Sequence, residues 1–169
     1  MINGVLIVFA GFWSLAMPQT ASEDVQAIRQ AYALRDRCFA KRDAKTLATT
    51  ELPDYFAITY DKKIIPPDKI KSYLDWRFKY QTTSKRTEKP ISIKISGETA
   101  TVQVKTSDEF VTVENKVRIR NIRREEGVAR WQKMPEGWRL ESTQFTKVEW
   151  VDTKGKWQVA PKPAKKKPV

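Results

Sequence analysis

The chain contains no histidine and a single cysteine, Cys38, and this narrows the chemistry its side chains can offer. Without imidazole there is no Ser-His-Asp triad, no Cys-His dyad and no histidine ligand for zinc. One cysteine closes no intramolecular disulfide and makes no CxxC pair. Any catalysis falls to carboxylates, tyrosines, lysines and arginines. Among the carboxylates Asp108 has the most suggestive setting. Ala100, Val102, Val104 and Thr106 recur at every second position, and Asp108 and Phe110 continue the same phase. If that face is buried, desolvation raises the pKa of Asp108 and tunes it as a general acid or base. The competing reading leaves Asp108 at the wet rim of a strand. Arg35 falls between Tyr32 and Phe39 on one helical stripe. It could pair with Asp108 across a cavity, in an anion site or a structural salt bridge, or run its stem to the rim. Tyr32 and Tyr60 could donate to a carbonyl oxygen in such a cavity, or sit in the core with their hydroxyls bonded to backbone. The catalytic candidates are thus Asp108, Tyr32 and Tyr60, and the ligand-binding candidates Tyr32, Arg35, Tyr60, Asp108 and Phe110. No cluster of metal-ligating residues and no Gly-rich phosphate loop is visible, so neither metal nor cofactor is expected.

The elements that must position these residues follow from periodicity. Ser22 precedes Glu23 and Asp24, an N-cap followed by first-turn acids, and Val25, Ile28, Tyr32 and Phe39 carry a helix to about Lys41. Cys38 lies on its apolar side as an inert buried thiol. Asp43 caps a short second helix over 44–50 that Pro53 ends. Residues 54–60 (DYFAITY) are aromatic and β-branched and read as a strand, and Ile64-Ile65 pairs briefly after a turn. Pro66-Pro67-Asp68 opens a third helix whose apolar positions are Ile70, Tyr73, Leu74 and Phe78, ending near Gln81. From Thr82 the period becomes two. Ile91, Ile93 and Ile95 alternate with polar residues, Gly97-Glu98 turns the chain, and a return strand runs to about Val113. A second turn at residues 114–116 leads into a long strand over 117–133, with a bulge expected at Glu125-Glu126-Gly127. Pro135-Glu136-Gly137 leads into the last strand, 138–150. Helices first and a hairpin-connected meander afterwards specify an α+β domain with helices on one face of the sheet.

The two ends differ from this body. Residues 5–13 form an uncharged apolar run followed by Ser14-Leu15-Ala16. The pattern reads as a signal peptide over residues 1–21, cleaved after Ala16 or Ala21, or as a membrane tether if uncleaved. The expectation is an exported, periplasmic or secreted protein. The net charge is +12. From Thr153 onward the chain is rich in Lys and Pro and holds six lysines and no acid. A solvated tail over residues 153–169 would attract polyanions without specificity. No nucleic-acid-binding motif accompanies the charge, so specific nucleic-acid recognition is not expected.

Several stretches together resemble the NTF2-like superfamily, in its bacterial SnoaL-like or DUF4440-like branch. Ile28-Arg29-Gln30-Ala31-Tyr32, leading through Phe39 to Arg42-Asp43-Ala44, is similar to the branch's opening helix and second-helix start. Asp54-Tyr55-Phe56 resembles its first strand. Arg130-Trp131-Gln132-Lys133 with Gly137-Trp138-Arg139-Leu140 resembles its last hairpin. The resemblance implies a cone over residues 22–152, with three N-terminal helical segments packed on a strongly curved, mostly antiparallel sheet. It also implies a cavity at the open end and commonly a homodimer. It does not imply a reaction, because the superfamily hosts isomerases, dehydratases, hydrolases and members without known chemistry. The His-Asp dyads of its dehydratases and cyclases cannot exist here.

Three functions remain open on sequence alone. One is an exported domain that binds a small, partly apolar ligand or a protein partner in its cone without turnover. The second is a cofactor-independent isomerase, lyase or hydrolase using Asp108 with Tyr32 or Tyr60. The third is an envelope-associated adaptor holding polyanions through its lysine tail. Of the other marked groups, Trp131, Trp138, Trp150 and Trp157 read as core and dimer interface, with a carbohydrate or aromatic-ligand platform as the alternative. Arg118, Arg120, Arg123 and Arg124 read as a solvated outer face.

Overall fold

Burial of Ile28, Tyr32, Arg35, Cys38 and Phe39 at three-, four- and seven-residue steps gives the first helix, α1 (Ala21–Lys41), one continuous inward face. The computed structural model describes residues 21–151 and 157–159. The apolar N-terminal run and the Lys/Pro-rich tail lie outside these residues. Asp43 caps α2 (Ala44–Ala48), its carboxylate accepting from the Thr46 amide at 2.9 Å. The first strand, β1 (Glu51–Ile58), starts before the expected position and contains Pro53. A proline has no amide to donate, and the β1 ladder is broken between Glu51 and Phe56, where Pro53 lies. After β2 (Ile64–Ile65) comes α3 (Pro67–Tyr80). The remaining strands are β3 (Gln81–Ser96), β4 (Thr99–Glu114), β5 (Val117–Met134), β6 (Gly137–Val151) and the short β7 (Trp157–Val159).

Six strands lie in the order β2-β1-β6-β5-β4-β3, and β7 pairs with β6. All neighbours are antiparallel except β1 and β6, which run parallel. The sheet is curved and unclosed, with the helices packed on it as an α+β cone. Gly97, at φ 58°, makes the tight β3–β4 turn, and Asn115 and Lys116 take left-handed φ values at the β4–β5 turn.

Two irregularities correct the period-two reading and determine what the inner face carries. In β3, Pro90 pairs with Val104 and Ser92 with Gln103, so Ile91 is the extra residue. Ile91 is consequently 47% exposed and does not join Ile93 and Ile95. The inserted residue reverses the phase, and Arg86 and Glu88 share the inner face with Ile93 and Ile95. The second bulge lies at the expected place along the ladder but on the other strand. Glu126 pairs with Lys147 and Gly127 with Phe145, which makes Thr146 of β6 the extra residue. A Cβ on Gly127 would sit 2.7 Å from the Gln144 carbonyl oxygen, so glycine allows the two backbones this approach.

The core is apolar at one end of the cone and ionic at the other. Ile28 and Tyr32 of α1 pack on Ala100, Val102, Ala129, Trp131 and Leu140. The last hairpin is tied to the start of α1: Trp138 donates its indole N–H to Asp24 at 2.9 Å, and Lys133 reaches the same carboxylate at 2.8 Å. Trp131 donates to the Tyr32 hydroxyl at 3.1 Å. Trp131 and Trp138 are therefore core residues, whereas Trp150 is exposed.

Candidate functional site

Register places charges side by side on the inner sheet face. Arg86 of β3 lies opposite Asp108 of β4, and Asp108 opposite Arg123 of β5. Trp150 of β6 continues this row, with the Arg123 guanidinium 5.2 Å from its ring centre. One step nearer the apolar end runs a second row, Glu88, Thr106, Glu125 and Val148. Arg35 of α1 and Arg77 of α3 complete the network.

Asp108 is wholly buried, and so is Arg77, which grips it in a fork of 2.8 and 2.9 Å. Arg86 donates to the same carboxylate at 3.0 Å, and Arg123 stands 3.6 Å away. The Arg77 guanidinium stacks 4.0 Å from the centre of the Phe110 ring and 4.6 Å from that of Phe39, and the Arg86 guanidinium lies 4.2 Å from the Phe39 ring centre. Phe110 is thus a platform for Arg77. Gln81 at the end of α3 accepts from Arg77 and donates to the Phe39 carbonyl, both at 2.9 Å. Arg35 bonds Glu88 at 2.8 Å, Glu51 at 2.6 Å and the Thr50 hydroxyl at 3.0 Å. Arg86 also pairs with Glu88.

These contacts correct two expectations. Arg35 does not pair with Asp108; Glu88 and Glu51 take it, while Arg77 and Arg86 hold Asp108. The pKa of Asp108 is also lowered rather than raised. Burial pushes it up, but the charge of Arg86 and the hydrogen bonds and charge of Arg77 outweigh that. Glu88 is similarly held at about 2, its burial outweighed by Arg35 and Arg86. Glu125 behaves oppositely: burial raises its pKa, and Arg123 approaches it only at 3.4 Å. Its Oε2 has no hydrogen-bond partner, and neither does Nε of Arg86 or of Arg123.

Asp36 stands just outside, accepting from the Glu88 amide at 2.9 Å. Burial and the charge of Glu88 push its pKa up to about 6. A raised carboxyl binds its proton better in the folded state, so it contributes stability below about pH 4 and loses it as pH rises through 6. Asp36→Asn should therefore stabilise the protein at pH 7. The residue is partly in water, so the gain is about 1 kcal/mol. Urea denaturation at pH 7 and pH 4 checks this: the gain belongs to pH 7 and vanishes at pH 4.

A cavity of about 300 Å³ opens in front of the ionic network. Tyr55 and Ala57 of β1, Ile65 of β2, Ile70 and Leu74 of α3 and Phe145 of β6 make its apolar wall. Arg35, Arg77, Arg86, Arg123 and Lys69 bring cationic side chains to it, and among the described residues Glu51 is the single acid on the wall. A second cleft of about 320 Å³ shares Glu51, Tyr55, Ile70 and Leu74 from the other side and meets α2. It does not reach the arginines of the sheet. Of the sequence candidates, Arg35 lines the cavity. Asp108 and Phe110 lie behind its wall. Tyr32 is in the core with its hydroxyl accepting from Trp131, and Tyr60 follows the end of β1, away from the wall. Tyr55 faces the cavity instead; its hydroxyl donates to Thr143 at 3.3 Å and burial pushes its pKa up to about 12.

Arg77, Arg86, Glu88 and Tyr55 were not singled out from sequence. For Arg77 a signal existed, because it continues the Ile70, Tyr73, Leu74 stripe by one turn. Arg86 and Glu88 were hidden by the phase reversal at Ile91. Arg123, read with its neighbours as part of an outer face, has the opposite parity to Arg118, Arg120 and Arg124 and turns inward. Among the described residues no group of three or more metal-ligating side chains is placed to hold a metal ion.

No family model matches the chain, and no curated protein does. Solved structures do. The protein Kfla4162 from Kribbella flavida aligns with a TM-score of 0.64 at 13% identity, over 75% of this chain and 92% of its own. A ketosteroid isomerase-like protein from Erwinia carotovora atroseptica aligns with a TM-score of 0.57 at 14% identity, over 77% and 98%. An NTF2-like protein with a cystatin-like fold from Novosphingobium aromaticivorans aligns with a TM-score of 0.53 at 15% identity, over 73% and 81%. At such identities the likeness is one of fold. Helices against a curved mixed sheet that leaves one end open, matched to these structures, make the fold of this chain NTF2-like.

Proposed function

We propose that this protein binds a small, partly apolar molecule in the cavity between α3 and the inner face of the sheet, and does so without turnover. The observation that carries this reading is the composition of the wall, which joins apolar and aromatic side chains from α1, α3, β1, β2 and β6 to four arginines. Such a surface matches an amphiphilic guest, since apolar area supplies affinity and a few fixed polar groups supply orientation. Absence of turnover is supported by the state of the carboxylates. Asp108 and Glu88 are kept ionised by arginines, and Asp108 lies behind the wall, out of reach of a guest's protons. The fold relationship to a ketosteroid isomerase-like protein brings no reaction with it. As part of the same proposal, the apolar run at residues 5–13 directs the protein to export.

The test is uptake of the neutral fluorophore N-phenyl-1-naphthylamine by the full chain. Its emission should rise on binding, and Ala57→Phe, which places a ring inside the cavity, should weaken binding at least tenfold while leaving the far-UV circular dichroism spectrum unchanged. Equal uptake by the wild type and the filled variant would place the probe elsewhere and overturn the reading.

A further inference from the structure

The cations on the cavity wall are not equivalent. Arg35, Arg77 and Arg86 each donate hydrogen bonds to carboxylates. Arg123 makes none that the geometry supports. Its nearest carboxylate oxygens are at 3.4 Å on Glu125 and 3.6 Å on Asp108, its Nε has no partner, and its side chain keeps 17% exposure. Asp108 is already saturated by Arg77 and Arg86, and Glu125, with its Oε2 unbonded at 3.4 Å, does not engage Arg123 by a hydrogen bond. Arg123 is therefore a cation fixed in place by packing against Trp150 and by distant ion pairs, with hydrogen-bonding capacity to spare. Lys69 of α3 lines the same cavity. Of the acids that balance the other arginines, Glu88 and Asp108 lie behind the wall, and Glu51, which lines it, is engaged by Arg35 at 2.6 Å, so the cations that remain for a guest are Arg123 and Lys69.

We infer that the guest is an organic monocarboxylate, its anionic head held by Arg123 with Lys69 at the rim and its aromatic or aliphatic body laid against Tyr55, Ile70, Leu74 and Phe145. The inference rests on the reading of the cavity as a ligand site and adds the chemical class. A single planar carboxylate suits one guanidinium fork and one ammonium. A phosphate dianion asks for more donors than remain uncommitted here. The cavity of about 300 Å³ lies at the small end of ligand sites and takes a body of about two fused rings.

The experiment compares 2-naphthoate with 2-naphthamide, which share a ring system and differ in charge. Binding is followed by the naphthyl fluorescence of each, with N-phenyl-1-naphthylamine as the neutral reference. Naphthoate should bind the wild type at least tenfold more tightly than naphthamide, and the preference should shrink as sodium chloride rises. Arg123→Gln should abolish the preference while keeping the wild-type far-UV circular dichroism spectrum; Arg123→Lys should restore part of it. Lys69→Gln, at an exposed helix position with no effect on folding, should reduce the preference without abolishing it. Equal affinity for acid and amide in the wild type, or a full preference in folded Arg123→Gln, would overturn the inference. Failure of the neutral probe to enter the cavity would instead overturn the ligand-site reading, so the two failures are distinguishable.

Discussion

Asp108→Ala should cost about 3–5 kcal/mol and lower the melting temperature by roughly 10–20 °C, the loss characteristic of removing one partner from a buried ion pair. Among the described residues Asp108 is the only carboxylate that Arg77 touches by hydrogen bonds, and both side chains are excluded from water. Removing it leaves Arg77 with Gln81 and Ser84 as polar partners and brings it, Arg86 and Arg123 together without the anion between them. Asp108→Asn retains the shape but not the charge and should fall between. The double variant Asp108→Ala/Arg77→Met should recover part of the loss, because it removes the fully buried Arg77 charge that the single variant leaves without an anion, while Arg86 keeps Glu88. Equilibrium unfolding in urea measures all three. A single-variant loss under 1 kcal/mol would show that water enters the network and screens it.

Trp131→Ala should be comparably severe, about 3–5 kcal/mol, by a different mechanism. Trp131 is fully buried at the apolar end of the cone, flanked across the strands by Ala100 and Leu140. Its ring meets that of Tyr32 edge-on, with centres 5.0 Å apart. Truncation opens a cavity between α1 and the sheet and removes the donor to the Tyr32 hydroxyl. Trp131→Phe should cost less, since it keeps most of the apolar volume. Denaturant midpoints order the series wild type, Phe, Ala. The cavity proposed to take the guest is lined by other residues, so any folded Trp131→Phe protein should take up the neutral probe normally.

The architecture was legible in the sequence because it is written in periodicity. The helical stripe of Ile28, Tyr32 and Phe39, the Asp43 cap, the glycine turn at Gly97 and the tryptophan hairpin are local signals, and each appears where its chemistry demands. The resemblance to an NTF2-like cone rested on the same elements. The ionic site was legible only in part. Asp108 was expected on the inner face and is there, and Arg35 was expected on the inner face of the first helix and lines the cavity. Which charge meets which depends on register, however, and register depends on a single inserted residue that no local pattern announces. With Ile91 counted as a regular strand position, Arg86 and Glu88 face solvent and Asp108 is left with Arg35. Bulged outward, it delivers Arg86 to Asp108 and Glu88 to Arg35. The same dependence explains why desolvation alone gave the wrong sign for the Asp108 proton affinity: the arginines that reverse it come from α3 and β3.

The row of Arg86, Asp108 and Arg123 is contributed by three successive strands, and the grip on its central member by a helix that precedes them all. During folding the β3–β4 hairpin can bring Arg86 to Asp108 and the β4–β5 hairpin Arg123, but the fork from Arg77 forms only once α3 has settled on the sheet. Burial of these charges is compensated in full only when helix and strands are together, which couples them into one cooperative unit.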